Sequence, residues 1–203
     1  LCPCHTKTPH RHACATESPL TVAVLFSGGD APGMNPLLRF LTRLGLNRHG
    51  ARVLGVKDGY AGLVRTVRRV RTDELTIAAL DQRLQADAVA RSAFCRDLDL
   101  VSMHHALASG LCSRGGTVLG AARCPEFHEA DTRFEAASLL RALGVNALVV
   151  VGGNGTLAGA EKLAEETALT VIGIPATIDD DVAGTEASLG FDTAVNRVMR
   201  AVE

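Results

Sequence analysis

At 203 residues the chain is long enough for one well-buried domain. Its 47% hydrophobic content and formal net charge of -1 are those of a globular protein, without the basic excess of a nucleic-acid binder or the charge-rich bias of a disordered chain. The longest uncharged apolar passage, residues 145–160, is broken by asparagines and glycines and is too short to cross a bilayer, so neither nucleic acid nor membrane is an expected partner.

Residues 1–20 read as a disordered leader, in which Cys2, Cys4, His5, His10 and His12 are too loosely spaced for a zinc site. The six cysteines show no C-x-x-C pairing and no secretory segment precedes them, which points to a reducing cytoplasm. Residues 21–27, TVAVLFS, form a β-branched and apolar run expected to be a strand buried on both faces. A helix is expected over 33–47, where Leu37, Leu41 and Leu44 recur at helical spacing, then a strand over 53–56 and a loop, KDGYAGL, over 57–63. The basic run RTVRRVR at 65–71 reads as a solvated edge. A helix is plausible over 75–90, whereas 91–114 has no stable period and reads as an inserted surface segment. Its adjacent His104 and His105 diverge on any regular element, which argues against a metal or acid–base pair. A helix is then expected over 131–143 with Phe134, Leu139, Leu140 and Leu143 inward, followed by a strand over 147–151, a helix from Gly155 and a buried strand over 171–174.

Alternating strands and helices of these lengths predict an α/β fold: a three-layer, doubly wound, mostly parallel sheet spanning residues 21–203, with right-handed crossovers. Such sheets bind ligands beyond the carboxyl ends of their strands, which would gather the loops after Ser27, Val151 and Ile174 along one edge. Two of those loops, SGGDAPG at 27–33 and GGNGT at 152–156, place paired glycines where a strand runs into a helix. That arrangement points backbone N–H groups toward an anion, and it also serves as an ordinary tight turn. The third, PATIDDD at 175–181, carries Asp179, Asp180 and Asp181. Three adjacent acids beside phosphate-type loops suggest metal binding or proton abstraction, the alternative being a cap and turn cluster. GGTVLGAAR at 115–123 adds an arginine suited to phosphate.

Taken in order, SGGDAPGMN at 27–35, DGYAGL at 58–63, GGTVLGAARCPEF at 115–127, GGNGT at 152–156, PATIDDD at 175–181 and GTEASLGFDTA at 184–194 resemble the phosphofructokinase family. The likeness covers residues 22–203 except for the divergent stretch 64–114. It implies the family's N-terminal lobe and transfer of the γ-phosphoryl of ATP to the 1-hydroxyl of fructose 6-phosphate, with magnesium. By position, Gly29, Arg123 and Cys124 match nucleotide contacts, and Gly153, Asn154, Gly155 and Thr156 match the nucleotide phosphate loop. Thr177, Ile178 and Asp179 match the sugar-phosphate contact, with Asp179 the general base, Thr177 beside it and Asp181 a supporting acid.

Three departures or choices qualify that expectation. Family members usually have aspartate, a magnesium ligand, where this chain has Asn154. A neutral carbonyl oxygen weakens that ligand, so an ATP-borne metal is the expectation. Gly155 goes with ATP, since pyrophosphate-using relatives have aspartate there and lysine at the position of Ala176. Arg39 and Arg43 match arginines that bind an allosteric nucleotide between subunits, which is as well read as an ordinary basic helix face. The family's second lobe would follow Glu203, so the chain reads as a fragment, inactive alone, of a homo-oligomeric enzyme. A non-catalytic nucleotide-binding subunit and a pyrophosphate-dependent enzyme are the competing readings.

Overall fold

The structure is a computed structural model, and it describes residues 20–72, 76–90 and 99–203. The leader with its Cys and His residues lies outside the described residues, as does most of the first half of the 91–114 stretch. Six strands form the sheet: β1 (Thr21–Phe26), β2 (Arg52–Val56), β3 (Leu100–Met103), β4 (Ala147–Gly152), β5 (Thr170–Thr177) and β6 (Leu189–Gly190), in the order β3-β2-β1-β4-β5-β6. Every pairing is parallel except β2 with β3. The helices are α1 (Met34–Leu44), α2 (Gly59–Arg71), α3 (Ile77–Ala90), α4 (His105–Ser109), α5 (Ala130–Ala142), α6 (Asn154–Glu166) and α7 (Phe191–Val202).

Side chains alternate across a strand, and here both faces are covered. Ala23 and Leu25 of β1, with Leu148 and Val150 of β4, pack against Leu63 of α2, Leu84 of α3, Leu140 of α5 and Leu163 of α6. Val24 and Phe26, with Val149 and Val151, face the opposite way onto Met34 and Leu38 of α1. These two apolar layers hold the three-layer sandwich together. Each fully buried aliphatic in them contributes about 1.5–3 kcal/mol of transfer free energy.

Several local expectations are corrected. In α1 the innermost residues are Met34, Leu38 and Thr42, and Leu37 and Leu41 only flank them, because the stripe facing a sheet is wider than one leucine row. The stretch DGYAGL is a turn and the start of α2, not a loop. Asp58 (φ 51°) and Gly59 (φ 60°) are left-handed, and a β-carbon at Gly59 would overlap the Phe26 carbonyl oxygen. That close approach lets Tyr60, Leu63 and Val67 enter the core, while Arg68 and Arg71 of the basic run reach Glu126 and Glu135 at the surface.

The stretch read as a surface insertion contributes β3, whose Leu100 has no exposed area. Its antiparallel edge pairing hides it from a period-based reading. His104 caps α4, accepting the Leu107 N–H at 3.4 Å. Phe134 is 56% exposed, although Leu139, Leu140 and Leu143 are buried as expected. Strand β5 is not covered on both faces: Ile172 is 50% exposed, and α7 buries none of its residues.

Candidate active site at the switch point of the sheet

From β1 the chain crosses through α1 to β2 on one side, and from β4 it crosses through α6 to β5 on the other. The loops leaving β1 and β4 therefore diverge, and they open a crevice where such sheets take their ligands. A cleft of about 670 Å³ occupies that place, within the ordinary range for small-molecule sites. Four segments wall it: residues 27–30, 123–128, 153–156 and 176–181.

Tertiary hydrogen bonds tie these segments together. The Ser27 hydroxyl and the Gly28 N–H donate to the Ala122 carbonyl at 3.0 and 3.3 Å, which brings Arg123 and Cys124 beside the first glycine loop. The Thr156 hydroxyl donates to the Ser27 carbonyl at 3.0 Å, clamping the first glycine loop to the second. Tyr60 donates its phenol to the Thr156 carbonyl at 3.0 Å and stacks on Phe127 with ring centroids 3.8 Å apart. Burial pushes the Tyr60 phenol above its usual range, which keeps it a donor at every physiological pH.

Behind Phe127, Arg133 is 4% exposed; it donates to the Phe127 carbonyl at 2.8 Å and through its Nε to Glu166 at 2.6 Å. The Arg133 guanidinium holds the Glu166 carboxyl below the usual carboxylate range. Farther forward, the buried Asn35 amide donates to the carbonyls of Arg114 and Gly115, both at 3.1 Å, and its oxygen accepts the Val118 N–H at 2.7 Å. The end of one motif thereby fixes the start of another.

The first turn of α6 begins at Asn154 with no side-chain cap and no acidic residue, so its open N–H groups and the positive end of its dipole face the cleft. That end attracts anions. Across from it, Thr177 comes close to Gly153, and the Thr177 hydroxyl accepts the Asp179 N–H at 3.2 Å in a tight turn. Asp179 and Asp181 line the cleft, whereas Asp180 does not. Among the described residues the Asp179 carboxylate makes no hydrogen bond or ion pair, which leaves it open to a ligand.

Every residue matched by motif to nucleotide, sugar phosphate, metal or chemistry lies on this one cleft: Gly29, Arg123, Cys124 and residues 153–156 on one side, and Thr177, Ile178, Asp179 and Asp181 on the other. Arg39 and Arg43 do not. They border a separate depression of about 340 Å³ on the outer face of α1, with Phe40 and Arg48. Sequence reasoning missed Tyr60, Phe127 and His128 as wall residues. Tyr60 and Phe127 stood inside the quoted DGYAGL and CPEF motifs, which was the available signal. Cys124 is less nucleophilic than a free thiol, since burial and a hydrogen bond to Glu126 raise its pKa.

No group of three or more His, Cys, Asp or Glu among the described residues converges to hold a metal by itself. Asn154 donates its amide N–H to the Asp181 carbonyl at 3.1 Å, which leaves its side-chain oxygen, with the Asp179 and Asp181 carboxylates on the same cleft, able to share an ion that a nucleotide's phosphates largely coordinate.

A doubly wound sheet with glycine loops at its switch point, faced by a free carboxylate, defines the class of α/β proteins whose ligand cleft lies at the carboxyl edge of the sheet. Within that class, residues 21–203 match the family model described as phosphofructokinase, and the chain belongs to the phosphofructokinase family. It is 40% identical over 181 residues to ATP-dependent 6-phosphofructokinase 1 of Clostridium perfringens, covering 89% of this chain and 46% of that protein. It is 39% identical over 182 residues to ATP-dependent 6-phosphofructokinase of Thermotoga petrophila, covering 90% of this chain and 47% of that one. The chain therefore spans about half the length of these relatives. Among solved structures, phosphofructokinase of Pichia pastoris in the T-state superposes with a TM-score of 0.71 at 28% identity, over 96% of this chain and 20% of that one. A pyrophosphate-dependent phosphofructokinase from Marinobacter aquaeolei, at 15% identity and a TM-score of 0.63, shares the fold. No helix among the described residues is long and apolar enough to cross a membrane.

Proposed function

We propose that this chain is the nucleotide-binding lobe of an ATP-dependent 6-phosphofructokinase, which moves the γ-phosphoryl of ATP to the 1-hydroxyl of fructose 6-phosphate. The observation that carries the reading is the single cleft shared by both glycine loops and the unpartnered Asp179. Amides at the start of α6 and in the first loop hold the donor's phosphates, and Arg123 supplies charge at the mouth. Asp179 accepts the sugar hydroxyl's proton as that oxygen attacks in line. Because the transition state is loose, this base contributes mainly by positioning. Thr177 sets the turn that presents it, and magnesium carried on the ATP phosphates, with Asn154 Oδ1, Asp179 and Asp181 as available oxygen ligands, would offset charge on the transferring group.

The choice of ATP as donor is supported by the open space at Gly155, where a β-carbon would meet nothing within 4 Å and no side chain crowds the start of α6. The relatives named above, both ATP-dependent 6-phosphofructokinases, support the same choice. Subunit association and a cytoplasmic location accompany the reading, with the second lobe supplying most sugar-phosphate contacts.

A coupled assay on the complete polypeptide that carries this chain, supplied with ATP or pyrophosphate, tests the proposal. Formation of fructose 1,6-bisphosphate with ATP alone is expected. Asp179→Asn should lower kcat by about 10²–10⁴ while ATP still binds. ATP binding without any turnover would favour a regulatory subunit, the reading that Asn154 motivates, and turnover with pyrophosphate would overturn the donor assignment.

A further inference from the structure

The three acids of residues 179–181 are treated very differently by their surroundings, and one buried hydroxyl accounts for much of the difference. Ser188 is 7% exposed and immediately precedes β6, whose two residues pair with Ala176 and Thr177 at the end of β5. Its hydroxyl lies 3.0 Å from the Thr177 carbonyl and 3.4 Å from Asp180 Oδ1. Asp180 has φ 53°, one of two non-glycine residues among those described with left-handed backbone. For an L-residue that conformation is unfavourable unless its surroundings hold it.

We propose that Ser188 is a positioning residue for the acidic loop: its single proton, shared between the Thr177 carbonyl and the Asp180 carboxylate, holds Asp180 turned away from the cleft and thereby sets the direction of Asp179. Two further bonds complete the frame. Thr177 Oγ1 accepts the Asp179 N–H on one side, and the Asn154 amide donates to the Asp181 carbonyl on the other. Of the three, the Ser188 contact is the most shielded from water, because its residue alone is buried while Asn154 and Asp179 are exposed. It also runs from the loop to the next strand, so the turn and the β5–β6 pairing constrain each other. A hydroxyl suits the task because it can face a carbonyl and a carboxylate at once without adding charge beside the cleft.

The consequence for activity rests on the reading of Asp179 as the base, so the test keeps the two apart. Hydrogen exchange at the amides of residues 178–183 in this chain reads the pin directly. Steady-state kinetics of the complete polypeptide read its effect. Ser188→Ala should raise exchange in the loop about fivefold, the equivalent of one net hydrogen bond, and lower kcat while leaving the KM for ATP within twofold. Ser188→Thr, which keeps the hydroxyl, should restore both. Asp180→Asn keeps an acceptor and tolerates left-handed backbone, so it should resemble the parent. Unchanged loop exchange in Ser188→Ala, or a loss in Asp180→Asn as large as in Ser188→Ala, overturns the proposal. Faster exchange with unchanged kcat leaves the pin standing and removes Asp179 from the chemistry.

Discussion

Replacing Thr156 with valine separates two roles that its position allows. The substitution removes one hydroxyl and keeps the side-chain shape. That hydroxyl has a single proton, and the proton is already committed to the Ser27 carbonyl at 3.0 Å. Thr156 is 7% exposed, and the Gly152 α-carbon crowds the same carbonyl so closely that an added β-carbon would sit 2.5 Å from it. Water therefore has no room to replace the lost donor. A net hydrogen bond contributes about 0.5–1.5 kcal/mol, and an orphaned buried carbonyl costs about 1–3 kcal/mol, so a destabilisation of about 2 kcal/mol is expected.

Urea unfolding should show a lower midpoint with an unchanged slope, and thermal unfolding a drop of about 4–8 °C for a chain of this size. ATP binding should weaken because the two glycine loops lose their clamp, yet it should persist, since the α6 amides remain. The reasoning fails if Thr156→Val keeps full stability and loses ATP binding. The hydroxyl would then serve the phosphate directly.

Three further outcomes follow from the same geometry. Gly59→Ala forces a β-carbon onto the Phe26 carbonyl at a left-handed residue, so it should cost at least about 2 kcal/mol; an unchanged melting temperature would mean that the turn can relax. Arg133→Met removes the partner that depresses the Glu166 carboxyl. A depressed carboxylate pKa contributes stability above its unfolded value, about 4.3, and loses it as pH falls through the folded value; the parent should therefore lose stability below about pH 4.3 more steeply than the variant, as urea midpoints across pH 3–7 would reveal. Asn154→Asp deletes the donor to the Asp181 carbonyl and sets a carboxylate toward the phosphate side, so ATP affinity measured by calorimetry in EDTA should fall about 5–30-fold, the equivalent of one to two kcal/mol. Equal affinity would show that the amide bond to Asp181 is dispensable.

How the chemistry was legible depends on how local it is. Strand-to-helix glycine turns announce themselves in a few consecutive residues, because a backbone that must approach an anion closely tolerates little but glycine. Segments 27–33 and 152–156 are legible on one sheet edge for that reason, and 175–181, which has no glycine, is placed beside them by the strand that precedes it and by its run of acids. Segment 57–71 failed for the opposite reason. Two glycines and an aspartate look like a loop, and only the contact between Gly59 and Phe26 explains why they instead start a buried helix. Strand β3 was hidden because four residues at an antiparallel edge carry no distinctive period.

Residue chemistry and order along the chain were enough to determine the doubly wound class, the glycine loops at its strand ends and the position of the acids, since these depend on backbone freedom, hydrophobic runs and charge within short windows. That Asp179 and Asp181 line the cleft while Asp180 does not was decided only in three dimensions. Asp179, Asp180 and Asp181 are chemically identical neighbours, and what distinguishes them is Thr177, Ser188 and Asn154, three partners reached by folding. A hydrogen bond depends on the placement of a few atoms at about 3 Å, and residues 27 positions apart acquire that placement only when the whole sheet has formed.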